Sequence, residues 1–444
     1  MTILLRVVTF LLVLGIIVLV HELGHYIAAR LMGIRVDVFS FGFGLRLFGR
    51  RFGATDFRIS LLPIGGYVRL AGEEEYDPKN LKPDEFMAKN RGQRFFTLAM
   101  GAVMNILLTL VLLTVINMTG VDIESYKMEK PEIGYVVKDS PAAKAGLRKG
   151  DLILAIERHP VSRWREVEIA VGTNPKETLA IDFQRQQQKL STRLEVGTAK
   201  PYEIGYAGFL WNLPAVIEDI QPGSPAQAAG LRQGDRIRAV DGQPVDNFFD
   251  LREIFAGSPG KTLQVTLLRQ GTEETRAVTP RDEQGVGLVG FNVRIDSATI
   301  RYGLLASIGN SLRESLRLGL LTFNAFKKMI KGKLSPKNLS GPIEIAKFSQ
   351  QALQSGLSNF FILIAFISLQ LGIVNLFPIP GLDGGQLLIL SVEALIRRDL
   401  NAKLKSALVY IGFSLLIMLM IFVILNDIAK TLPQGWKSLI PLIK

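Results

Sequence analysis

Four long runs of apolar residues divide the chain, and each is long enough to cross a lipid bilayer as a helix. They cover residues 7–29, 95–118, 357–378 and 406–425. A hydrocarbon core about 30 Å thick requires about 20 helical residues. The fourth run is uninterrupted, whereas the first loses its purely apolar character after Val20. The pattern predicts four membrane-spanning helices.

The first run permits a second interpretation, a secretory signal peptide, because Arg6 precedes a short apolar stretch. However, no small-x-small cleavage site follows Val20, and the residues after it keep a helical pattern rich in Leu and Ala. We therefore expect a membrane span here.

Basic residues concentrate in the two short connections between runs, at 30–94 and 397–405. The positive-inside rule places both in the cytoplasm, with both chain termini and residues 119–356 on the opposite side. Lysines between 327 and 347 favour the reverse orientation, but the charge rule applies poorly to so long a segment.

Residues 35–70 alternate apolar and polar side chains and are dense in Gly, which predicts short strands with turns. Because this segment directly follows the first span, we expect a membrane-associated β-hairpin at the cytoplasmic face. An ordinary cytoplasmic hairpin is the alternative.

Residues 130–294 are soluble in composition and contain an internal repeat. SPAAKAGLRKGDLILAIERHPV begins at Ser140 and SPAQAAGLRQGDRIRAVDGQPV at Ser224, an offset of 84 residues. Each SPA turn opens a short helix, and each GD turn leads into a strand. The repeat predicts two small α+β domains, residues 130–212 and 213–294.

Two further segments complete the domain plan. Residues 301–330 space apolar residues at three and four positions with Arg and Lys between them, so we expect residues 300–356 to be an amphipathic, membrane-surface segment. A helix packed on the second repeat is the alternative. Residues 426–444 are expected to be a C-terminal tail.

Composition narrows the range of functions that the chain can have. The net charge of +12 in a chain that is 48% hydrophobic points to membrane topology and anionic lipid, and we expect no nucleic-acid partner. The absence of cysteine excludes disulfides and thiol catalysis.

The sequence HELGH at residues 21–25 places two histidines and a glutamate where ionisable groups are costly. His21 and His25 face the same way on a helix and can share one tetrahedral zinc ion. Glu22, offset by about 100°, can reach a water on the metal and carry its proton to a leaving amine. Coincidence on a solvated helix face is the alternative.

A catalytic zinc needs a third protein ligand, and no histidine near the predicted site remains to supply it. The best candidate is Asp383 in NLFPIPGLDGG, which follows the third run on the predicted cytoplasmic side. Non-helical backbone at membrane depth is tolerated where it lines a site. Asp383 could instead, or in addition, be the N-cap of the following helix.

The repeats resemble bacterial PDZ domains, although the first copy departs at Arg158-His159: in register, its Glu157-Arg158 stands where the second copy has Asp241-Gly242. In such domains a Gly/apolar loop, here 205–209 and 287–291, receives a peptide carboxyl terminus. The alternative is that both domains are spacers without a peptide ligand.

Taken together, HELGH, NLFPIPGLDGG and the repeats resemble the site-2 protease family of intramembrane zinc metalloproteases, most closely its sigma-E-regulating members with tandem PDZ domains. The resemblance implies His21, His25 and Asp383 as Zn²⁺ ligands and Glu22 as the base. It also implies substrate-binding roles for the residues Asn375, Gly65, Gly66 and Tyr67. Ala102 replaces a proline usual in the family, which puts a kink in the second span in doubt.

The resemblance further implies a bacterial inner-membrane protein with periplasmic PDZ domains. Its expected partners are lipid and a pre-trimmed single-pass membrane protein, typically an anti-sigma factor or a remnant signal peptide, with the PDZ domains as a size filter. The competing hypotheses are a catalytically silent PDZ scaffold in the membrane and, more weakly, a metal transporter.

Overall fold

The computed structural model describes residues 2–73, 81–199 and 204–431. The chain forms two compact units, a membrane unit of Met1–Val121 with Arg301–Lys444 and a repeat unit of Asp122–Ile300.

The membrane unit begins with two long helices joined through a β-sheet. Helix α1 covers Thr2–Leu31 and helix α2 covers Arg91–Thr119. Both extend beyond the predicted runs, α1 by residues on either side of 7–29 and α2 chiefly by the polar residues at its start. At the start of α2, Asn90 and Gln93 form a reciprocal capping box. Helix α2 is unbroken at Ala102, as expected from the missing proline.

The sheet contains strands β1, Val36–Phe52, and β2, Thr55–Leu70, which are longer than the short strands that the sequence pattern predicts. Each strand bends back on itself at glycines with positive φ angles, β1 at Gly42 and Gly44 with 91° and 85°, and β2 at Gly65 with 134°. The first half of β1 therefore pairs with both halves of β2. Phe39, for example, pairs with Phe57 on one side and with Val68 on the other.

The repeat unit contains two similar four-stranded antiparallel sheets, built from Leu152–Ile156, His159–Pro160, Thr178–Arg185 and Gln188–Glu195 in the first half and from Arg236–Val240, Gln243–Pro244, Leu263–Arg269 and Thr272–Val278 in the second. The elements of its first half are β3 Val121–Glu124, β4 Tyr135–Val136, α3 Pro141–Lys144, β5 Leu152–Ile156, β6 His159–Pro160, α4 Trp164–Gly172, β7 Thr178–Arg185, β8 Gln188–Glu195, β9 Gly197–Ala199, β10 Ile204–Tyr206 and β11 Phe209–Leu210. Those of its second half are β12 Ile217–Ile220, α5 Pro225–Ala228, β13 Arg236–Val240, β14 Gln243–Pro244, α6 Phe248–Ala256, β15 Leu263–Arg269, β16 Thr272–Val278, β17 Arg281–Glu283, β18 Val286–Leu288, β19 Phe291–Val293 and β20 Ser297–Ile300.

Each half of the repeat unit has its own apolar core, one around Ile181 and Leu194 and the other around Leu251 and Val265. The two GD motifs have the same structural role. Asp151 is fully buried and accepts two hydrogen bonds of 2.7 Å from Arg185. The corresponding pair in the second copy, 84 residues further along, is Arg269 and Asp235. Arg269 donates two hydrogen bonds to Asp235, of 2.8 and 2.7 Å.

The remaining helices return to the membrane unit: α7 Leu304–Ile330, α8 Pro342–Gln354, α9 Leu357–Asn375, α10 Asp383–Ile396 and α11 Ala402–Thr431. Within the described residues, four helices are long and apolar enough to cross a membrane, namely α1, α2, α9 and α11. Helix α9 ends earlier than the predicted run because Pro378 cannot continue it. Helix α11 continues into the predicted C-terminal tail as far as Thr431, and residues 432–444 lie outside the described residues.

Helix α7 packs its polar side inward. Ser307, Ser311 and Ser315 are buried, and the Ser311 hydroxyl lies 3.2 Å from that of Thr114 on α2. Leucines on the opposite side are exposed. This arrangement fits an apolar surrounding, while the placement of α7 at the membrane surface stays a prediction.

Candidate metal centre

Close packing of α1 against α2 brings the HELGH residues to the interior of the membrane unit. A Cβ atom on Gly24 would lie 2.3 Å from the backbone oxygen of Met100, and one on Gly101 would lie 2.3 Å from His25 Nε2. The two helices can therefore approach this closely only because both positions are glycine.

Asp383 reaches the same point from the other side. Helix α9 is fixed to α2 by hydrogen bonds of 2.9 Å from Thr109 to Ala365 and from Ser368 to Asn105. The chain then turns sharply, and Cβ atoms on Gly384 or Gly385 would overlap the backbone of the turn. Asp383 is the first residue of α10, whose N-cap is Leu382, so the alternative of an N-cap aspartate is wrong.

The three side chains predicted as ligands form one compact group. Asp383 Oδ2 lies 3.1 Å from His21 Nε2 and 3.5 Å from His25 Nε2, and the two Nε2 atoms are 3.2 Å apart. Ligand atoms about 2.0–2.1 Å from a tetrahedral zinc ion lie about 3.3–3.4 Å from one another. All three distances are close to that spacing, so these residues fit a tetrahedral zinc ion with one position left open.

Hydrogen bonds from α2 orient the imidazoles. The Thr97 carbonyl oxygen lies 2.9 Å from His25 Nδ1, which must therefore carry its proton and leave Nε2 with a free lone pair. The amide nitrogen of Asn105 lies 3.3 Å from His21 Nδ1, and its buried Oδ1 has no hydrogen-bond partner within the described part of the chain. Because amide oxygen and nitrogen are interchangeable in shape, rotating this amide lets Oδ1 accept from His21 Nδ1–H.

Glu22 lies between the histidines and the sheet. A Cβ atom on Gly66 would lie 3.2 Å from Glu22 Cγ, and the backbone N–H of Val68 faces the Glu22 carboxylate. Strand β2 therefore runs directly past the carboxylate. Among the described residues, the Gly66–Arg69 stretch pairs with a strand, β1, on one edge only.

The predicted substrate-binding residues occupy different positions. Asn375 Nδ2 lies 3.4 Å from His21 Nε2, at the edge of the group of ligands. Gly66 touches Glu22, and Gly65 faces the ring of Phe43. The Tyr67 hydroxyl accepts a hydrogen bond from Arg58, so its side chain lies on the other face of the sheet. Their roles toward substrate stay predictions.

The sequence analysis missed the contribution of α2. Thr97, Gly101 and Asn105 recur at four-residue spacing and line the histidines as one stripe. The signal that could have revealed them is this spacing of small and polar residues within an otherwise apolar span.

Comparison with known proteins identifies the family of the chain. The chain matches the model of "Peptidase family M50" over residues 9–419. RseP of Escherichia coli strain K12, a regulator of sigma-E protease, is 32% identical over 95% of this chain and 98% of its own length. The corresponding Salmonella typhi protease is 32% identical over 97% of this chain and 100% of its own length.

A Neisseria meningitidis relative, whose name describes it as a zinc metalloprotease, is 29% identical over 95% of this chain and 98% of its own length. With a family match that extends from the first apolar helix into the last, the chain belongs to peptidase family M50 and is a zinc metalloprotease of a multi-pass membrane type.

Proposed function

We propose that the protein is an intramembrane endopeptidase, in which His21, His25 and Asp383 hold Zn²⁺ and Glu22 is the general base. The observation that carries this proposal is the spacing of the three ligand atoms, all within 4.8 Å of one another, inside a bundle of apolar helices. The nearly buried histidines, with side-chain exposures of 9% and 10%, are otherwise hard to explain in such surroundings.

Zinc bound there supplies a Lewis acid that polarises the scissile carbonyl and makes a nearby water acidic. Glu22 accepts the proton of the attacking water and delivers it to the nitrogen of the departing amine. Asn105 and Thr97 keep both imidazoles in the orientation that directs Nε2 toward the metal. The side-chain amide of Asn375 is positioned to hold a substrate carbonyl or N–H beside His21.

The substrate in this proposal is an unwound transmembrane segment that pairs with the edge of β2 beside Gly65, Gly66 and Tyr67. The proximity of Gly66 to Glu22 supports it, because a strand added at this edge would pass the base. A helix could not be cut there before unwinding, since its backbone amides are internally bonded.

The names of two relatives support the substrate class in this proposal. Since two are named as regulators of sigma-E, we propose a single-pass membrane protein already shortened on its outer side, an anti-sigma factor or a remnant signal peptide. The setting is the bacterial inner membrane, with both termini and the repeat unit in the periplasm and the metal centre toward the cytoplasm. Cysteines introduced at Arg50 and Arg398 should be labelled from the cytoplasm, and those at Gln187 and Gln270 from outside.

The repeat unit in this proposal consists of two PDZ-like domains that exclude substrates with bulky outer domains. Deleting residues 130–294 with a short flexible join should preserve cleavage of a trimmed substrate and permit cleavage of an untrimmed one. A folded, zinc-containing deletion variant that still rejects the bulky substrate would refute the filter.

The test of the chemistry is Glu22→Gln, which keeps side-chain size but cannot act as a base. Cleavage of a reconstituted single-pass substrate should fall by about 10²–10⁴-fold, with zinc content and substrate binding unchanged. Cleavage near the wild-type rate would show that Glu22 is not the base. If neither the wild type nor Glu22→Gln cleaves the substrate, the result would favour a catalytically silent scaffold.

A further inference from the structure

The sheet has a second concave site on the face opposite α1. Phe39, Phe41 and Phe57 line an apolar cavity against α1. The other face carries a polar cavity of about 630 Å³, the arginine cavity, lined chiefly by Asp37, Arg46, Arg51, Asp56, Arg58 and Arg69. Nothing in the proposed proteolytic chemistry uses these side chains.

The charges in the arginine cavity are unbalanced. Asp37 is paired at 3.0 Å with Arg35 outside it, and Asp56 is paired with Arg46 at 3.0 Å and with Arg58 at 3.9 Å. Within the described parts of the chain, Arg51 and Arg69 form no ion pair. The cavity therefore presents at least two guanidinium groups to an anion that the described chain does not provide.

One of the arginines is also short of an acceptor. Arg58 donates to the Tyr67 hydroxyl, but its buried Nε has no hydrogen-bond partner among the described residues. An unmet buried donor is costly, and an anion oxygen in the cavity would satisfy it. Guanidinium groups bind phosphate in a bidentate manner, so a phosphate group suits this cavity.

The adjacent tip of the sheet indicates where such a phosphate resides. Leu45 and Phe48 are 74% and 72% exposed, and Phe43, Leu47 and Leu62 are exposed beside them. A contiguous exposed apolar tip beside a basic cavity is typical of a surface inserted into lipid at the headgroup level. Arg46 lies within this tip and also lines the cavity.

We propose that the arginine cavity binds the phosphate of an anionic phospholipid of the surrounding membrane, with the exposed tip of the sheet among the acyl chains. Binding there would fix the height of the sheet in the bilayer. It would thereby fix the height of strand β2, which passes Glu22.

The test uses the full-length protein in a non-ionic detergent, titrated with phosphatidylglycerol, and counts retained lipid by native mass spectrometry. Each arginine near a lipid surface contributes about 1 kcal/mol. Arg51→Gln and Arg69→Gln should each weaken retention about fivefold, and the double variant about thirtyfold. Arg51→Lys keeps the charge but not the bidentate geometry, so its retention should lie between those of wild type and Arg51→Gln.

Arg50→Gln is the matched control, because it removes the same charge one residue away. Arg50 pairs with Phe57 of the apolar face and lies over the ring of Phe52. Its substitution should leave lipid retention unchanged. Equal losses for Arg50→Gln and Arg51→Gln would mean attraction by bulk charge, and the proposal would be wrong.

Binding tests with three other ligands identify the molecule that supplies the phosphate. Phosphatidylcholine should be retained weakly, and millimolar inorganic phosphate should not displace phosphatidylglycerol. Full displacement by inorganic phosphate would indicate a soluble anion, and displacement by a soluble glutamate-rich peptide would indicate a polypeptide ligand. Either result would overturn the assignment to lipid. Zinc content equal to wild type shows that each variant is folded at the metal centre.

Discussion

The two units of the chain differ in the apolar side chains that they expose and in the polar side chains that they bury. The repeat unit buries apolar residues such as Ile181 and Leu267, as proteins in water do. The membrane unit exposes large apolar residues on α7 and α11 and completely buries Thr109, Asn105 and Ser368. Apolar packing therefore organises the repeat unit, while the membrane unit combines its own apolar clusters with buried hydrogen bonds and close backbone contact.

The difference reflects the surrounding medium. In water, burial of apolar area drives folding, and a buried charge must be fully paired. In lipid, there is little hydrophobic gain between helices, so small residues and interhelical hydrogen bonds stabilise the contacts. The same packing that holds α1 against α2 also shapes the metal centre, and substitutions in the two units should consequently have different effects.

The largest effect on stability is expected in the repeat unit. Arg185→Met leaves the fully buried Asp151 without its cation, which should destabilise the first repeat by about 3–5 kcal/mol. Hydrogen exchange of strands β5 and β7 would measure the loss. Arg193→Met, an exposed position on β8, is the control and should change little. Zinc content should stay normal in both variants.

The next effect is on metal binding. Gly101→Ala places a Cβ 2.3 Å from His25 Nε2, so either the helices separate or the imidazole moves. Zinc affinity should fall by about a hundredfold. Gly172→Ala in the repeat unit adds a methyl to open space at the end of α4 and should alter neither zinc nor stability appreciably. Competition with a chelator measures both variants.

Asn105→Leu should weaken zinc binding by about tenfold, because His21 loses the acceptor that orients it. Asn105→Asp keeps an acceptor at the same place and should restore most of the affinity. If Leu and Asp variants bind zinc equally well, Asn105 does not orient His21, and the hydrogen bonds of α2 serve packing alone.

The smallest effect concerns the contact between the two repeats. Tyr135 donates a 2.8 Å hydrogen bond to Glu253, and burial together with this carboxylate raises the pKa of Tyr135 to about 12. Tyr135→Phe should cost about 0.5–1 kcal/mol at neutral pH. Because the raised pKa lies above the ordinary value of about 10, this contribution is complete below pH 10 and disappears as the pH rises through 12. Thermal melts of wild type and Tyr135→Phe measure this: the difference between their melting temperatures should be smaller at pH 12 than at pH 8.

Sequence reasoning succeeded where a residue pattern has one physical meaning. Run length identified the four apolar helices, and the four-residue spacing of His21 and His25 put both on one helix face. Asp383 was identified by elimination and by the Pro and Gly residues around it, and the structure does bring it to the histidines.

The rest depended on tertiary contacts that leave little trace in the sequence. The GD motifs do not reveal that Arg185 and Arg269, each 34 residues further along, hold their aspartates. The length of β1 escaped prediction because its bends use glycines that also mark ordinary turns. Thr97 and Asn105 remained hidden because an apolar helix does not show which side meets its neighbour.

The most direct test of the central claim is the zinc content of purified protein, measured per chain by mass spectrometry in parallel variants. The account predicts one zinc ion in wild type and in Glu22→Gln, none in His21→Ala or His25→Ala, and a much weakened site in Asp383→Ala. Undiminished zinc in Asp383→Ala would contradict the proposed ligand set, since the 3.1 Å approach of its carboxylate to His21 would then have no role in holding the metal.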